Sequence, residues 1–61
     1  MALNDKQEMF CREYLIDLNA TQAAIRAGYS EKTANAQASR LLVNVNIQNR
    51  IKELKSNRNE R

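Results

Sequence analysis

The sequence predicts an all-α domain of about four helices, and three observations carry that reading. The chain has no proline and a single glycine, Gly28, among many Ala, Leu, Lys, Glu and Gln residues that lose little freedom in a helix. Its apolar residues recur at helical spacing in successive stretches instead of alternating over long runs. Each stretch is preceded by a good helix-capping residue, namely Asn4, Asn19, Ser30 and Asn44 in turn. At 61 residues the chain makes one domain at most, too small to build the floor of a deep cleft.

Asn4 or Asp5 opens the first helix, which the pattern carries to about Leu18, and Gln7 stands where it can close a capping box on Asn4. Phe10, Cys11, Tyr14 and Leu18 fall on one face and form the expected platform for the remaining helices. Met9 and Ile16 fall on another side, with Leu15 between, available to a second helix or a partner. Glu8, Glu13 and Asp17 resemble an acid/base or metal constellation, yet such chemistry needs a cleft. A solvated face pairing with Lys6 and Arg12 is the preferred reading. Cys11 is the one cysteine and histidine is absent, so neither an internal disulfide nor an ordinary zinc site can form; no cofactor is expected.

Asn19 caps the second helix, with Gln22 as its capping-box partner. Ala20, Ala23, Ala24 and Ala27 put small groups where another helix can come close. Gly28 then takes the left-handed backbone that reverses the chain, Tyr29 follows, and Ser30 caps the third helix with Glu31 in its first turn. Ala34, Ala38, Leu41 and Leu42 mark the buried stripe of that helix. This succession is a helix-turn-helix, and Ala24, Gly28, Tyr29 and Ala34 match the general DNA-binding form of it. Gln37 stands where a further apolar residue is usual, with Ala38 next along.

The face opposite the stripe supplies the candidate DNA contacts, which are Ser30, Lys32, Thr33, Ala36, Ser39 and Arg40. Lys32 and Arg40 suit phosphates or base edges, Thr33 and Ser39 polar contacts, and Ala36 a close approach. Ser30 is first a cap, although a capping hydroxyl and exposed helix-start amides can also meet a phosphate. Tyr29 fits the core beneath the turn better than a stack on a base. The plain alternative is an antiparallel helix pair in any small bundle, its polar face merely solvated.

Val43 to Ile47 alternates apolar and polar residues, but the run is too short for a strand in a helical chain and reads as a junction. Asn44 caps a last helix with Ile47, Ile51 and Leu54 inside and Arg50, Lys52 and Lys55 outside, either as a simple closing helix or as extra phosphate contact. Residues 1–55 form the helix-turn-helix domain, and the polar segment 56–61 is a fraying tail or the start of a linker. Residues 1–31 carry three cations and five acids, whereas residues 32–61 carry seven cations and two acids, so a net charge of +3 hides a strongly positive second half. With no basic and apolar leader and no run of about 18 apolar residues, the chain is expected to be soluble and intracellular, with no membrane partner.

The run from Leu3 to about Leu54 resembles the N-terminal DNA-binding domain of the bacteriophage terminase small subunit. Lys6-Gln7, Phe10, Glu13-Tyr14-Leu15, Asp17 to Ala20, Gln22 to Ser30, Ala34, Ala38, Leu41-Leu42, Asn44, Ile47 and Ile51 carry the likeness, and NATQAAIRAGYS is its most specific part. Members of that family often have proline after the residue matching Asn44; Val45 stands there, which leaves the start of the last helix less sharply fixed. The resemblance implies a non-enzymatic viral packaging protein of the bacterial host cytoplasm, binding double-stranded DNA at a packaging start site and delivering it to the terminase large subunit. It also implies a longer protein that forms a homo-oligomer and meets the large subunit through regions absent here. The three apolar stripes are needed to close one core, so the isolated domain is expected to be a monomer. A transcriptional regulator, a transposase domain or a helical interaction module would fit the motif alone. An enzyme fits least, for want of histidine, a glycine-rich phosphate loop or a nucleophile pair.

Overall fold

The computed structural model describes residues 3–59 and contains, among them, four helices: α1 (Asp5–Asp17), α2 (Ala20–Arg26), α3 (Ala34–Val43) and α4 (Val45–Asn59). The opening of α1 follows from its sequence. Asn4 Oδ1 accepts from the Gln7 amide at 2.8 Å and Gln7 Oε1 accepts from the Asn4 amide at 3.2 Å, completing the capping box. The helix ends at Leu18, whose amide donates to the Tyr14 carbonyl at 2.7 Å while its backbone turns left-handed at φ 57°. That turn carries the side chain off the apolar stripe. Leu18 is therefore 64% exposed and does not join Phe10, Cys11 and Tyr14 as the periodicity predicts.

The second helix is capped by Asn19, whose Oδ1 accepts from the Gln22 amide at 3.1 Å. Its own amide donates to Asp17 Oδ1 at 3.1 Å, so the end of α1 fills the role expected of the Gln22 side chain. Gly28, at φ 107°, closes α2: its amide donates to the Ile25 carbonyl and the Tyr29 amide to the Ala24 carbonyl, each at 3.0 Å. This paired arrangement is a Schellman motif, which satisfies two carbonyls left over by the helix and needs a residue tolerant of positive φ.

The expected cap at Ser30 is corrected by the structure. Its carbonyl accepts from the Thr33 amide at 3.0 Å and its hydroxyl from the Lys32 amide at 3.3 Å, so Ser30 organises a separate turn before the helix. Consequently α3 starts only at Ala34, with Thr33 as N-cap and no side-chain bond to the helix. Asn44 joins α3 to α4 in a single residue. Its amide donates to the Leu41 carbonyl at 3.1 Å, its Oδ1 accepts from the Asn46 amide at 2.8 Å, and Gln48 Nε2 donates back to the Leu42 carbonyl at 2.8 Å. The corner is thus held without proline at Val45. Helix α4 runs on to Asn59; Glu60 and Arg61, the last two residues of the segment 56–61, lie outside the described residues.

In the packed domain α1 lies against α2 and α4, and α3 closes the other side against the same two helices. The buried core is Phe10, Cys11, Ala23, Ala24, Ala27, Ala34, Ala38, Leu41 and Ile47. Five of these nine are alanines, drawn from α2 and its end and from α3, where backbones must approach closely. Bulk comes from Phe10, stacked on Tyr14 with ring centroids 6.0 Å apart, and from Ile47. Tyr14, Tyr29, Leu42, Ile51 and Leu54 pack around this centre, as the stripes predict.

The two left-handed positions make opposite predictions. Gly28→Val should lower the melting temperature more than Gly28→Asn, because β-branching aggravates a positive φ that asparagine partly tolerates. Leu18→Gly should instead raise it, since an exposed leucine there carries a conformational cost of about 1 kcal/mol. For a domain of this size that corresponds to roughly 4–8 °C, readable by circular dichroism.

Candidate nucleic-acid interface

Burial of Ala34, Ala38 and Leu41 settles which side of α3 faces outward. Helical spacing then aligns Ala36, Ser39, Arg40 and Val43 on the opposite side, and all four are exposed. Of the six sequence-predicted contacts, Ala36, Ser39 and Arg40 share this helical face. Ser30, Lys32 and Thr33 are also exposed but belong to the preceding turn, so the six form two adjoining groups. Two exposed residues of α3 are absent from the sequence-based set: Asn35 in its first turn and Val43 at its end. Continuing the helical period of the Ala34, Ala38 and Leu41 stripe finds Val43 on the outer side, whereas reading Val43 to Ile47 as a junction hides it.

The domain's arginines divide by role. Arg50 Nε and Nη2 donate to the two carboxylate oxygens of Glu8 at 2.9 and 2.7 Å, tying α4 to α1, while its Nη1 donates to Glu53 at 2.8 Å. Arg12 Nε donates to the same Glu8 at 2.9 Å. On the other flank Arg26 ties α2 to α1, donating to Glu13 Oε1 at 2.7 Å and to Asp17 Oδ1 at 3.2 Å. The acidic face of α1 is therefore not simply solvated and satisfied by Lys6 and Arg12. Lys6 sits over the Tyr29 ring instead, 4.8 Å from its centroid. Arg50, expected to point outward with Lys52 and Lys55, is committed to the fold. Among the described residues Lys32, Arg40, Lys52 and Lys55 make no ion pair.

Ionisation follows the same division. The Arg50 and Arg12 guanidiniums hold the Glu8 carboxyl down at about 2, and Arg50 is stabilised as a cation in return. Arg26 likewise lowers Asp17. Burial, with a contribution from the Glu8 charge, pushes the Cys11 thiol up to about 11, which removes it as a nucleophile; its Sγ lies 3.9 Å from the Ile47 carbonyl oxygen. An open groove of about 640 Å³ runs between the start of α1 and α4; of its three acids, Glu8 and Glu53 are bound to Arg50 and Asp5 stands in the first turn of α1. No cluster of His, Cys, Asp or Glu suited to a metal occurs among the described residues, and no helix there is long and apolar enough to cross a membrane. What the surface offers is an exposed helix face flanked by cations that make no ion pair among the described residues, an arrangement that suits an extended anion such as a duplex.

The sequence pattern of a family described as terminase small subunit matches residues 3–61. The chain is 54% identical over 52 residues to the terminase small subunit of Staphylococcus phage 80alpha, a match covering 84% of this chain and 36% of that protein. It is 45% identical over 53 residues to the PBSX phage terminase small subunit of Bacillus subtilis (strain 168), covering 87% of this chain and 20% of the relative. The terminase small subunit of Bacillus phage SF6 is 46% identical over 57 residues, with 85% and 39% covered. The chain thus spans well under half the length of these relatives. No solved structure matches it.

Glu8 gives the domain a defined acid sensitivity. Its carboxyl titrates near 4.5 in the unfolded chain and at about 2 when folded, so as pH falls the unfolded state takes up the proton first. The stabilisation is complete above about pH 4.5 and is lost on the way to pH 2. Because both partners remain partly wet, solvent screening keeps that contribution modest. Glu8→Gln should lower the melting temperature at pH 7 and flatten its decline between those limits; an unchanged acid profile would deny the clamp this role.

Proposed function

The chain belongs to the terminase small subunit family, and from that premise we propose that it is a DNA-binding domain serving phage genome packaging. In this reading α3 lies in the major groove of double-stranded DNA with Ala36, Ser39 and Arg40 toward the bases. Ser30, Lys32 and Thr33 approach the backbone beside it. The observation that carries the reading is the division of cations: Arg26 and Arg50 tie helices together and Arg12 pairs with Glu8 within α1, while Lys32 and Arg40 on the motif, and Lys52 and Lys55 on α4, are left without acidic partners among the described residues.

The rest of the proposal follows from family membership. The domain recognises the packaging initiation site, and the longer protein hands that DNA to the terminase large subunit in the host cytoplasm without itself catalysing a reaction. Residues 1–55 are the DNA-binding unit and 56–61 lead toward regions that assemble the homo-oligomer. The chain alone is a monomer, which sedimentation at high micromolar concentration tests through the exposed Met9 and Ile16. A transcriptional regulator or transposase would use the same helix face, and family membership favours packaging over both.

Titration of a labelled duplex at several salt concentrations tests the binding. Each phosphate contact contributes about 0.9 to the slope of log affinity against log salt, so a domain with few cations free of ion pairs among the described residues should show a shallow dependence. Arg40→Ala should weaken binding several-fold with an unchanged melting temperature. Arg50→Ala should do the reverse, lowering the melting temperature and leaving the affinity of the folded protein nearly intact. Absence of binding even at low salt removes DNA as the partner.

A further inference from the structure

We infer that Val43, with Ala36 two helical turns before it, reads the methyl groups of thymine in the major groove. The inference rests on the DNA-binding reading above and adds to it the chemistry of the bases contacted. Val43 is the last residue of α3 and is 73% exposed, in a domain with few large apolar side chains to spare. The burial of Ala34, Ala38 and Leu41 places it on the outward line with Ala36, Ser39 and Arg40, away from every packing partner that α3 has in α2 or α4.

Other exposed apolar side chains have different settings. Met9 and Ile16 lie on α1, Leu18 ends it in a left-handed turn, and Val45 opens α4. Val43 alone of these stands on the outer face of α3, one turn from Arg40, which has no ion pair among the described residues. A groove-facing line of this kind meets mostly hydrogen-bonding edges, and the one apolar feature that B-DNA presents there is the C5-methyl of thymine. Ala36 and Val43 are separated along the helix by roughly 10 Å, which spans about three base pairs. Arg40 and Ser39, between them, supply the polar contacts. The charge of Lys32, exposed in the turn before α3, complements the phosphates beside the groove that Arg40 enters, and these two cations make duplex DNA the occupant of this face.

The experiment begins by selecting duplexes from a random library with the 61-residue chain at low salt. Thymines in a selected duplex are then replaced one at a time by deoxyuridine, which removes only the methyl group. The expected result is a loss of roughly fourfold at one or two positions, the worth of one buried apolar carbon each. Val43→Ser should erase the loss at one of them, while Val43→Thr, which keeps a methyl, should retain part of it. Ile16→Ser, an equally exposed change on α1, should leave every loss in place. Deoxyuridine losses identical in the wild type and Val43→Ser, or a wild type indifferent to deoxyuridine throughout, overturn the inference while DNA binding stands. Failure to enrich any duplex at low salt overturns the DNA-binding reading and this inference with it.

Discussion

Close approach of alanine-faced helices is the constraint on which the rest of this domain depends. Ala23, Ala24 and Ala27 at the second helix meet Ala34 and Ala38 of the third, and such contacts bring backbones together while burying little apolar area per residue. Among the described residues only Phe10 and Ile47 are both large and fully buried. A seven-residue helix such as α2 has no stability of its own and must borrow it from that packing. The perimeter therefore has to contribute, and it does so with guanidinium forks. Arg50 joins α4 to α1 across 42 positions of sequence, and Arg26 joins α2 to α1 across 13.

Features that depend on neighbouring residues were legible in the sequence. The capping box of Asn4 and Gln7, the Asn19 cap, the positive φ of Gly28, the Asn44 corner and the stripes centred on Phe10, Ala38 and Ile47 all follow from local spacing. Ser30 misled because a serine that accepts from an amide two residues on looks, in sequence, like a serine that caps a helix; which turn forms depends on where α3 finds its partners. Leu18 misled for a related reason: periodicity assigns a face only while the helix lasts. Arg50 and Lys6 were beyond local reasoning altogether, since their partners Glu8 and Tyr29 are brought to them by the fold. In the candidate site, Ala36, Ser39 and Arg40 were read correctly as one exposed face because the buried stripe of α3 defines its opposite. Val43 was lost because the alternating run Val43 to Ile47 was read as a junction, whereas α3 includes it.

The perimeter clamps also bear on how charge is displayed. Helix α4 is oriented at one end by the Asn44 corner and along its length by the Glu8 to Arg50 pair, so Lys52 and Lys55 ride on a helix whose bearing relative to α3 is held. Cations fixed in advance lose less freedom when they meet an extended anion than cations on a loose segment would. The relatives are considerably longer than this chain, and copies joined in a larger assembly would raise the effective concentration of each later contact. Weak contact by each domain is then compatible with firm retention by many.

The choice between arginine and lysine follows the same logic. Arg12, Arg26 and Arg50 stand where a carboxylate can be gripped, and Arg26 and Arg50 each use their planar fork on more than one oxygen, which a lysine ammonium could not do in that geometry. Lys32, Lys52 and Lys55 occupy exposed positions and make no ion pair among the described residues, and in the DNA-binding reading a point charge there suffices for a phosphate. Arg40 is the exception, an arginine on an exposed face with no carboxylate to grip among the described residues. If charge alone were wanted there, lysine would serve equally well. A fork without an internal partner on the outer face of α3 matches the paired N7 and O6 acceptors of guanine, which separates Arg40 from the lysines as a reader of bases within the DNA-binding reading.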